Sequence, residues 1–320
     1  MKRKELSLQW LEMFQICARK GSLQAVAGET GLSVSTVSHH LRNLEDHLGA
    51  ALFDHSRRPM VLTPAGARFL RNIDEALLAI RKAKAEVSAG NLAETRLLRL
   101  GLIDDFDSDI APELAVYLAE ALPKCDFRYH TDSSHGVLDL LQNRQLDAGL
   151  ASDPQERFHG LEARPMLRDP FVMVLPAGTA HDPSDVLHGR TPLPFLRFSA
   201  RLMIARQIEA QLQRTGVSLP NRFECANNQT LMAMVASGAG WTITTPLQYA
   251  RARRFRPRLQ VVRFPGRSFA RSIVLVASPD CAPPVLALVD QKLRDLLSSH
   301  AIQPLHADFP WLRDSFHLED

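Results

Sequence analysis

The chain has 320 residues, 45% hydrophobic and 23% charged, a composition that excludes a disordered or collagen-like chain. Its length suggests about two domains and buries enough core to need no disulfide or metal staple. The net charge of +3 sits at one end, with 13 Lys/Arg against 9 Asp/Glu in residues 1–90 and 25 against 26 in residues 91–320, so a small basic segment joined to a neutral larger one points to a polyanion partner. Cys17, Cys125, Cys225 and Cys281 lie far apart with no Cys-x-x-Cys pair, which argues against a zinc or redox site and reads as four small core residues. No apolar run follows the basic start Met1-Lys2-Arg3-Lys4, and no stretch of about 18 apolar residues occurs. A cytoplasmic protein with no membrane partner is expected.

Leu8, Leu11, Phe14 and Ala18 recur at helical spacing, so the first element is an amphipathic helix over 7–19, stopped by Gly21. Ser22 is placed to cap a second helix, Leu23–Thr30, and Gly31 supplies the left-handed residue after it. Ser33 caps a third, Val34–Leu48, with Val37, Leu41, Leu44 and Leu48 facing inward. Two short helices joined by a glycine turn form a helix-turn-helix. The outer face of the third helix offers Val34, Ser35, Thr36, Ser38, His39 and Arg42, with no acid before Glu45. Short hydroxyls there suit base edges and Val34 suits a thymine methyl. Leu52–Asp54 and Met60–Leu62 then pair as a hairpin whose basic tip, Arg57-Arg58, is a wing for phosphate or the minor groove. Thr63-Pro64 opens a fourth helix reaching about Ala89. Its stripe of Phe69, Ile73, Leu77, Ile80 and Val87 is expected to be a dimerisation seam.

Gly21-Ser22, the Ala27…Gly31…Ser33 turn, Ser38 with Leu44-Glu45 and Leu48-Gly49, then Leu52-Phe53 and Leu62-Thr63-Pro64-Ala65-Gly66 make residues 6–90 resemble the winged helix-turn-helix and linker helix of LysR-type transcriptional regulators. Two departures stand out. His55 occupies the place of the arginine that usually follows the Leu-Phe pair, and Val34-Ser35-Thr36 replaces the frequent Gln-Pro-Ala. The resemblance implies a double-stranded operator as partner, self-association into a dimer and a dimer of dimers, and RNA polymerase as a further partner. On this reading Arg42, Arg57 and Arg58 supply phosphate affinity, and Ser22, Ser33, Val34, Ser35, Thr36, Ser38 and His39 complete the DNA face.

After a hinge at Gly90–Thr95, strand-like and helix-like stretches alternate: strands at 97–103, 125–130, 148–151, 171–175, 222–225, 241–244 and 273–277, helices at 111–121, 136–143, 205–215, 229–237 and 283–299. Alternation implies a largely parallel α/β sheet. The stretch 165–266 carries its own set, so the expected fold class is α/β, with a two-lobed, periplasmic-binding-protein-like effector domain over 95–300. Lobe I takes 95–164 and 267–300, lobe II takes 165–266, and 301–320 is a tail that either docks through Trp311 and Phe316 or moves freely. The domains are thus 1–63, 64–94, 95–300 and 301–320.

Ligands of open α/β sheets bind beyond strand carboxyl ends, near helix N-termini. That selects Asp104, Asp105, Phe106 and Ser108; Thr131 and Ser133; Ser199 and Arg201; Asn227; and Thr245 at a lobe crossing. The acids of 104–107 either cap a helix or hold an ammonium group with Phe106 as cation–π partner. Arg201 is suited to a carboxylate. Together they describe an amino or zwitterionic carboxylate effector, with no cofactor and no metal. The run Arg251–Arg258 reads as a solvated loop. No P-loop, Gly-x-Gly-x-x-Gly, His-Glu-x-x-His or Gly-x-Ser-x-Gly motif occurs, so neither an enzyme nor an exported solute receptor fits as well as a ligand-responsive regulator.

Overall fold

The computed structural model describes residues 6–57, 59–88, 95–153 and 160–319. Arg58 and positions 90–94 of the expected hinge lie outside them, as does the side chain of Val87. The chain divides into two compact units after Lys84, and each is built around its own core.

The first unit contains α1 (Leu8–Lys20), α2 (Leu23–Thr30), α3 (Val34–Leu48), a hairpin of β1 (Phe53–Asp54) and β2 (Val61–Leu62), and α4 (Pro64–Ser88). Gly31 follows α2 at φ +69°, a conformation that strains any L side chain, and this sets the turn into α3. Phe14 is fully buried, its ring 5.4 Å from both Phe53 and Phe69. Val37, Leu41 and Leu44 join it from α3. Leu48 departs from the expected inward stripe: it is 37% exposed, as the last helical residue before Gly49 turns the chain.

The expected seam of α4 is corrected in part. Phe69, Ile73 and Leu77 pack into the core of their own unit, and Leu77 is 1% exposed. Gln15 of α1 donates to Asp74 of α4. Phe14 of α1 meets Phe69 there, the ring centroids 5.4 Å apart. Ile80, one turn further on, is 38% exposed.

The second unit begins with β3 (Leu97–Leu102), a 3₁₀ turn at Asp104–Phe106, α5 (Ile110–Ala121), β4 (Asp126–Thr131), α6 (Ser134–Gln142) and β5 (Ala148–Ser152). β6 (Glu162–Pro170) leads into β7 (Val172–Pro176), α7 (Pro183–Leu187), β8 (Leu196–Phe198), α8 (Met203–Arg214), β9 (Phe223–Cys225), α9 (Asn228–Ala236), β10 (Thr242–Thr244), α10 (Pro246–Arg251) and β11 (Leu259–Arg263). The chain closes with β12 (Ala270–Ala277), α11 (Pro283–Leu297), α12 (Gln303–Asp308) and β13 (His317–Leu318).

One sheet has the order β13-β6-β12-β5-β3-β4, a second β10-β7-β11, and β8-β9 form a small pair. A largely parallel sheet was expected, but the sheets are mixed. β3 runs parallel to β4 and β5, whereas β12 is antiparallel to both its neighbours and all of β10-β7-β11 is antiparallel. The chain leaves the first sheet after Pro170 and re-enters at Ala270, and the rings of Phe171 and Phe269 stack 4.2 Å apart at this double crossing. A return strand inserted beside β5 from the other lobe runs against it, which is what breaks the parallel order. Buried side chains of both sheets form one continuous apolar cluster.

The tail docks. Phe316 is fully buried, Phe309 packs on Tyr249 at 5.8 Å, and Arg263 sits over the Trp311 ring at 5.3 Å. His317 and Leu318 pair with Arg168 and Leu167, so β13 covers the outer edge of β6 at those two residues. At the opposite end β4 is an edge strand, with Tyr129 37% exposed. The arginine run expected as a loop is a 3₁₀ turn, Arg253–Arg258, in which Arg256 donates to Ala250 O at 2.7 Å.

Candidate functional site

The first candidate site is the outer face of α3 with the hairpin beside it. Ser33 is the N-cap: its Oγ accepts from Thr36 N at 3.1 Å, and it lies 2.7 Å from Ser35 Oγ and 2.8 Å from Thr36 Oγ1. Ser22 caps α2, accepting from Ala25 N at 3.5 Å. Val34, Ser35, His39 and Arg42 are exposed, while Thr36 and Ser38 are half-buried. Ser33→Ala is expected to cost about 1 kcal/mol of stability through the lost cap, read by denaturant unfolding. A cost near zero would mean the hydroxyl has no capping role.

Glu45 explains the fixed position of the hairpin. Its Oε1 accepts from Leu52 N at 2.7 Å and Phe53 N at 3.1 Å, and its Oε2 lies 3.1 Å from His55 Nε2. The histidine in place of arginine thus pairs with α3. Arg57 reaches back to Asp54 at 3.2 Å and remains largely exposed. Thr63 Oγ1 donates to Ala51 O at 2.8 Å and accepts from Gly66 N at 3.0 Å. A Cβ on Gly66 would stand 2.1 Å from Leu52 O. The Thr-Pro-Ala-Gly run is therefore the joint by which α4 presses against the hairpin backbone.

The second candidate site is a cavity, open to solvent, at the carboxyl ends of β3, β4, β8 and β9. Its wall combines Asp104 and Asp105 after β3, Asp132, Ser133 and Ser134 at the start of α6, and Ser152. Opposite stand Phe198, Leu202, Met203 and Ile204, then Ala226 and Asn228 at the start of α9. Gln248 and Arg271 also line it.

Arg271 is 4% exposed between two carboxylates that are also buried, Asp105 and Asp169. Its Nη2 donates to Asp105 Oδ2 at 2.6 Å and Asp169 Oδ2 at 2.8 Å, and its Nε to Asp169 Oδ2 at 2.9 Å. Thr245 Oγ1, at 3.1 Å, and Ser152 Oγ, at 3.5 Å, complete the guanidinium's surroundings. Leu247 N and Gln248 Nε2 donate to Asp169 Oδ1 and Asp105 Oδ1. Burial works against the Arg271 charge, but Asp105 and Asp169 hold it above its ordinary value. Burial pushes the Asp169 carboxyl up, opposed by Arg271 and by hydrogen bonds from Thr245, Arg271 and Leu247. The network ties β6, β12, α10 and the turn after β3 together where the chain crosses between lobes.

Of the effector residues named from sequence, Asp104, Asp105 and Ser133 line the cavity. Phe106 is 1% exposed in the apolar core, so it offers no ring face to a ligand. Thr131 donates to Asp107 Oδ1 at 2.7 Å, and Ser108 Oγ lies 3.4 Å from Arg251 Nε. Ser199 and exposed Arg201 lie outside the cavity wall, as does Asn227, which caps α9 by accepting from Thr230 N. Thr245 is fully buried at the crossing. Sequence reasoning missed Arg271 and Asp169. A lone arginine in a strand gives no local signal, whereas the start of α9 was already marked by Asn227.

A winged helix-turn-helix carried with a two-lobed, cavity-bearing α/β unit defines a DNA-binding regulator with a small-molecule domain. The LysR substrate binding domain matches residues 93–297, and the bacterial regulatory helix-turn-helix of the lysR family matches residues 8–67. The chain belongs to the LysR family of transcriptional regulators. It is similar to a probable hydrogen peroxide-inducible genes activator of Mycobacterium xenopi, 33% identical over 53% of this chain and 89% of the relative. A Mycobacterium avium protein of the same description is 33% identical over 52% of this chain and 53% of its own length. Among solved structures, full-length OxyR of Pseudomonas aeruginosa shares the fold at a TM-score of 0.64 and 20% identity, covering 91% of this chain and 95% of that one. Corynebacterium glutamicum OxyR with hydrogen peroxide bound does so at 0.58 and 20%, covering 96% and 97%. The relatives are regulators rather than enzymes, and among the described residues no helix is long and apolar enough to cross a membrane.

Proposed function

We propose that the chain binds a double-stranded operator through the exposed face of α3 and the hairpin tip, in the cytoplasm, as a dimer, and that a small polar molecule in the interlobe cavity alters that binding. The observation that carries it is the exposed stretch of Val34, Ser35, His39 and Arg42 on a capped helix held rigidly to the wing by Glu45. Arg42, Arg57 and Arg58 serve the phosphates, and Ser35, Thr36, Ser38 and His39 discriminate bases. Ile80 and the positions beyond it on α4 are the self-association surface. Pairing of dimers and contact with RNA polymerase rest on the family alone. Arg42→Ala is expected to weaken binding on all sequences and to lower the salt slope by about 1, measured by anisotropy on DNA flanking its own gene across a salt series. Unchanged affinity and slope would remove Arg42 from the interface.

A peroxide-responsive cysteine needs thiolate character and access, and here burial pushes Cys17 and Cys281 up to about 12 and raises Cys125 and Cys225 as well. The zwitterionic effector keeps its ammonium end at Asp104, but the carboxylate end loses its support, since Arg201 stands outside the cavity wall.

A further inference from the structure

Three features of the cavity bear on the sign of its ligand. First, the wall carries Asp104, Asp105 and Asp132 against one cation, Arg271, and that cation is already bound by two buried carboxylates. Partial burial, then Asp107 and Asp105, hold the Asp104 carboxyl above its ordinary value; Arg251 opposes this and Asp132 adds to it.

Second, the anion site that a helix start normally offers is filled from within. Asp132 accepts from Ser133 N at 2.6 Å, and a Cβ on Gly136 would meet its Oδ1 at 2.5 Å, so its carboxylate lies over the first turn of α6. Ser133 Oγ takes Gly136 N, and at α9 Asn227 Oδ1 takes Thr230 N.

Third, Asn228 is 7% exposed and lines the cavity. Its Nδ2 donates to Gln248 O at 2.9 Å, and because that partner is a carbonyl the amide orientation is fixed. Its Oδ1 is buried with no hydrogen-bond partner. A buried acceptor left unpaired costs about 1–3 kcal/mol, so the cavity asks for an N–H.

We propose that the effector enters this cavity as a cation, a small molecule with a protonated amine or amidine whose N–H groups bond Asn228 Oδ1 and whose charge lies against Asp104 and Asp132. This rests on the cavity being the effector site. The sign is opposite to that of a carboxylate ligand held by an arginine clamp, because the arginine present faces carboxylates of the protein instead.

The test uses the full-length protein with ethylammonium, guanidinium and 1,4-diaminobutane, and with acetate and succinate at matched ionic strength. Thermal shift and calorimetric titration are the readouts. The amines are expected to raise Tm and the carboxylates not to. Asp104→Asn and, separately, Asn228→Leu are expected to weaken amine binding at least about tenfold; Asp104 is exposed, so that variant folds. Carboxylates binding in place of amines, with loss in Asn228→Leu, would overturn the cation and leave the effector site standing. Binding of neither class at tens of millimolar, or amine binding indifferent to both variants, would overturn the proposal. Amine binding that both variants abolish but that leaves operator affinity unchanged would uphold the cation site and remove the effector reading.

Discussion

Replacing Arg271 by leucine is expected to cost about 3–5 kcal/mol, seen as a fall in Tm on the order of 10 °C for the second unit. The loss comes less from the ion pairs than from what remains: Asp105 and Asp169, 5% and 0% exposed, facing each other without a cation. Scanning calorimetry of the full chain reads it. The charge argument is separable from packing, because adding Asp105→Asn and Asp169→Asn to the same chain is expected to return part of the stability. A single variant that melts with the parent would show that the carboxylates find water when the arginine is gone.

Gly66→Ala is expected to cost about 3 kcal/mol, at the upper end for overpacking, and to abolish specific DNA binding. The added methyl would lie 2.1 Å from Leu52 O, a backbone atom that cannot swing aside, while Thr63 Oγ1 already holds both Ala51 O and Gly66 N. Either α4 or the hairpin must shift, and the hairpin is tied through Leu52 N and Phe53 N to Glu45 on α3. Hydrogen exchange should speed up in residues 45–70 while the second unit is unchanged. Parent-like exchange and operator affinity would show that the joint tolerates a side chain.

The first unit was readable because its signals are local. Ser22, Ser33 and Thr63-Pro64 mark helix starts, and Gly21 and Gly31 mark ends, each within a residue or two of the observed boundary. What periodicity could not say was what the α4 stripe faces, since a seam and a core contact use the same spacing. In the second unit β6 was missed because Pro165, Arg168, Asp169 and Pro170 disrupt any alternation, although the strand lies between β12 and β13. Proline is normally a mark of edges and strand ends. The hinge network was invisible for another reason: Arg271 meets partners 102 and 166 positions away. Asp105 and Thr245 were found by their place at element ends, yet they serve the crossing itself. Phe106 was given a ligand role that the core claims instead.

The two ends of the six-stranded sheet differ in what they permit. β13 is two residues long and covers β6 only at Leu167 and Arg168, while β4 stands at the other end of the strand order. The two ends therefore differ in how much main chain each offers to a strand from elsewhere. A chain shortened to residue 297, where the match to the substrate binding domain ends, loses that cover, and a longer run of β6 main chain becomes available for pairing.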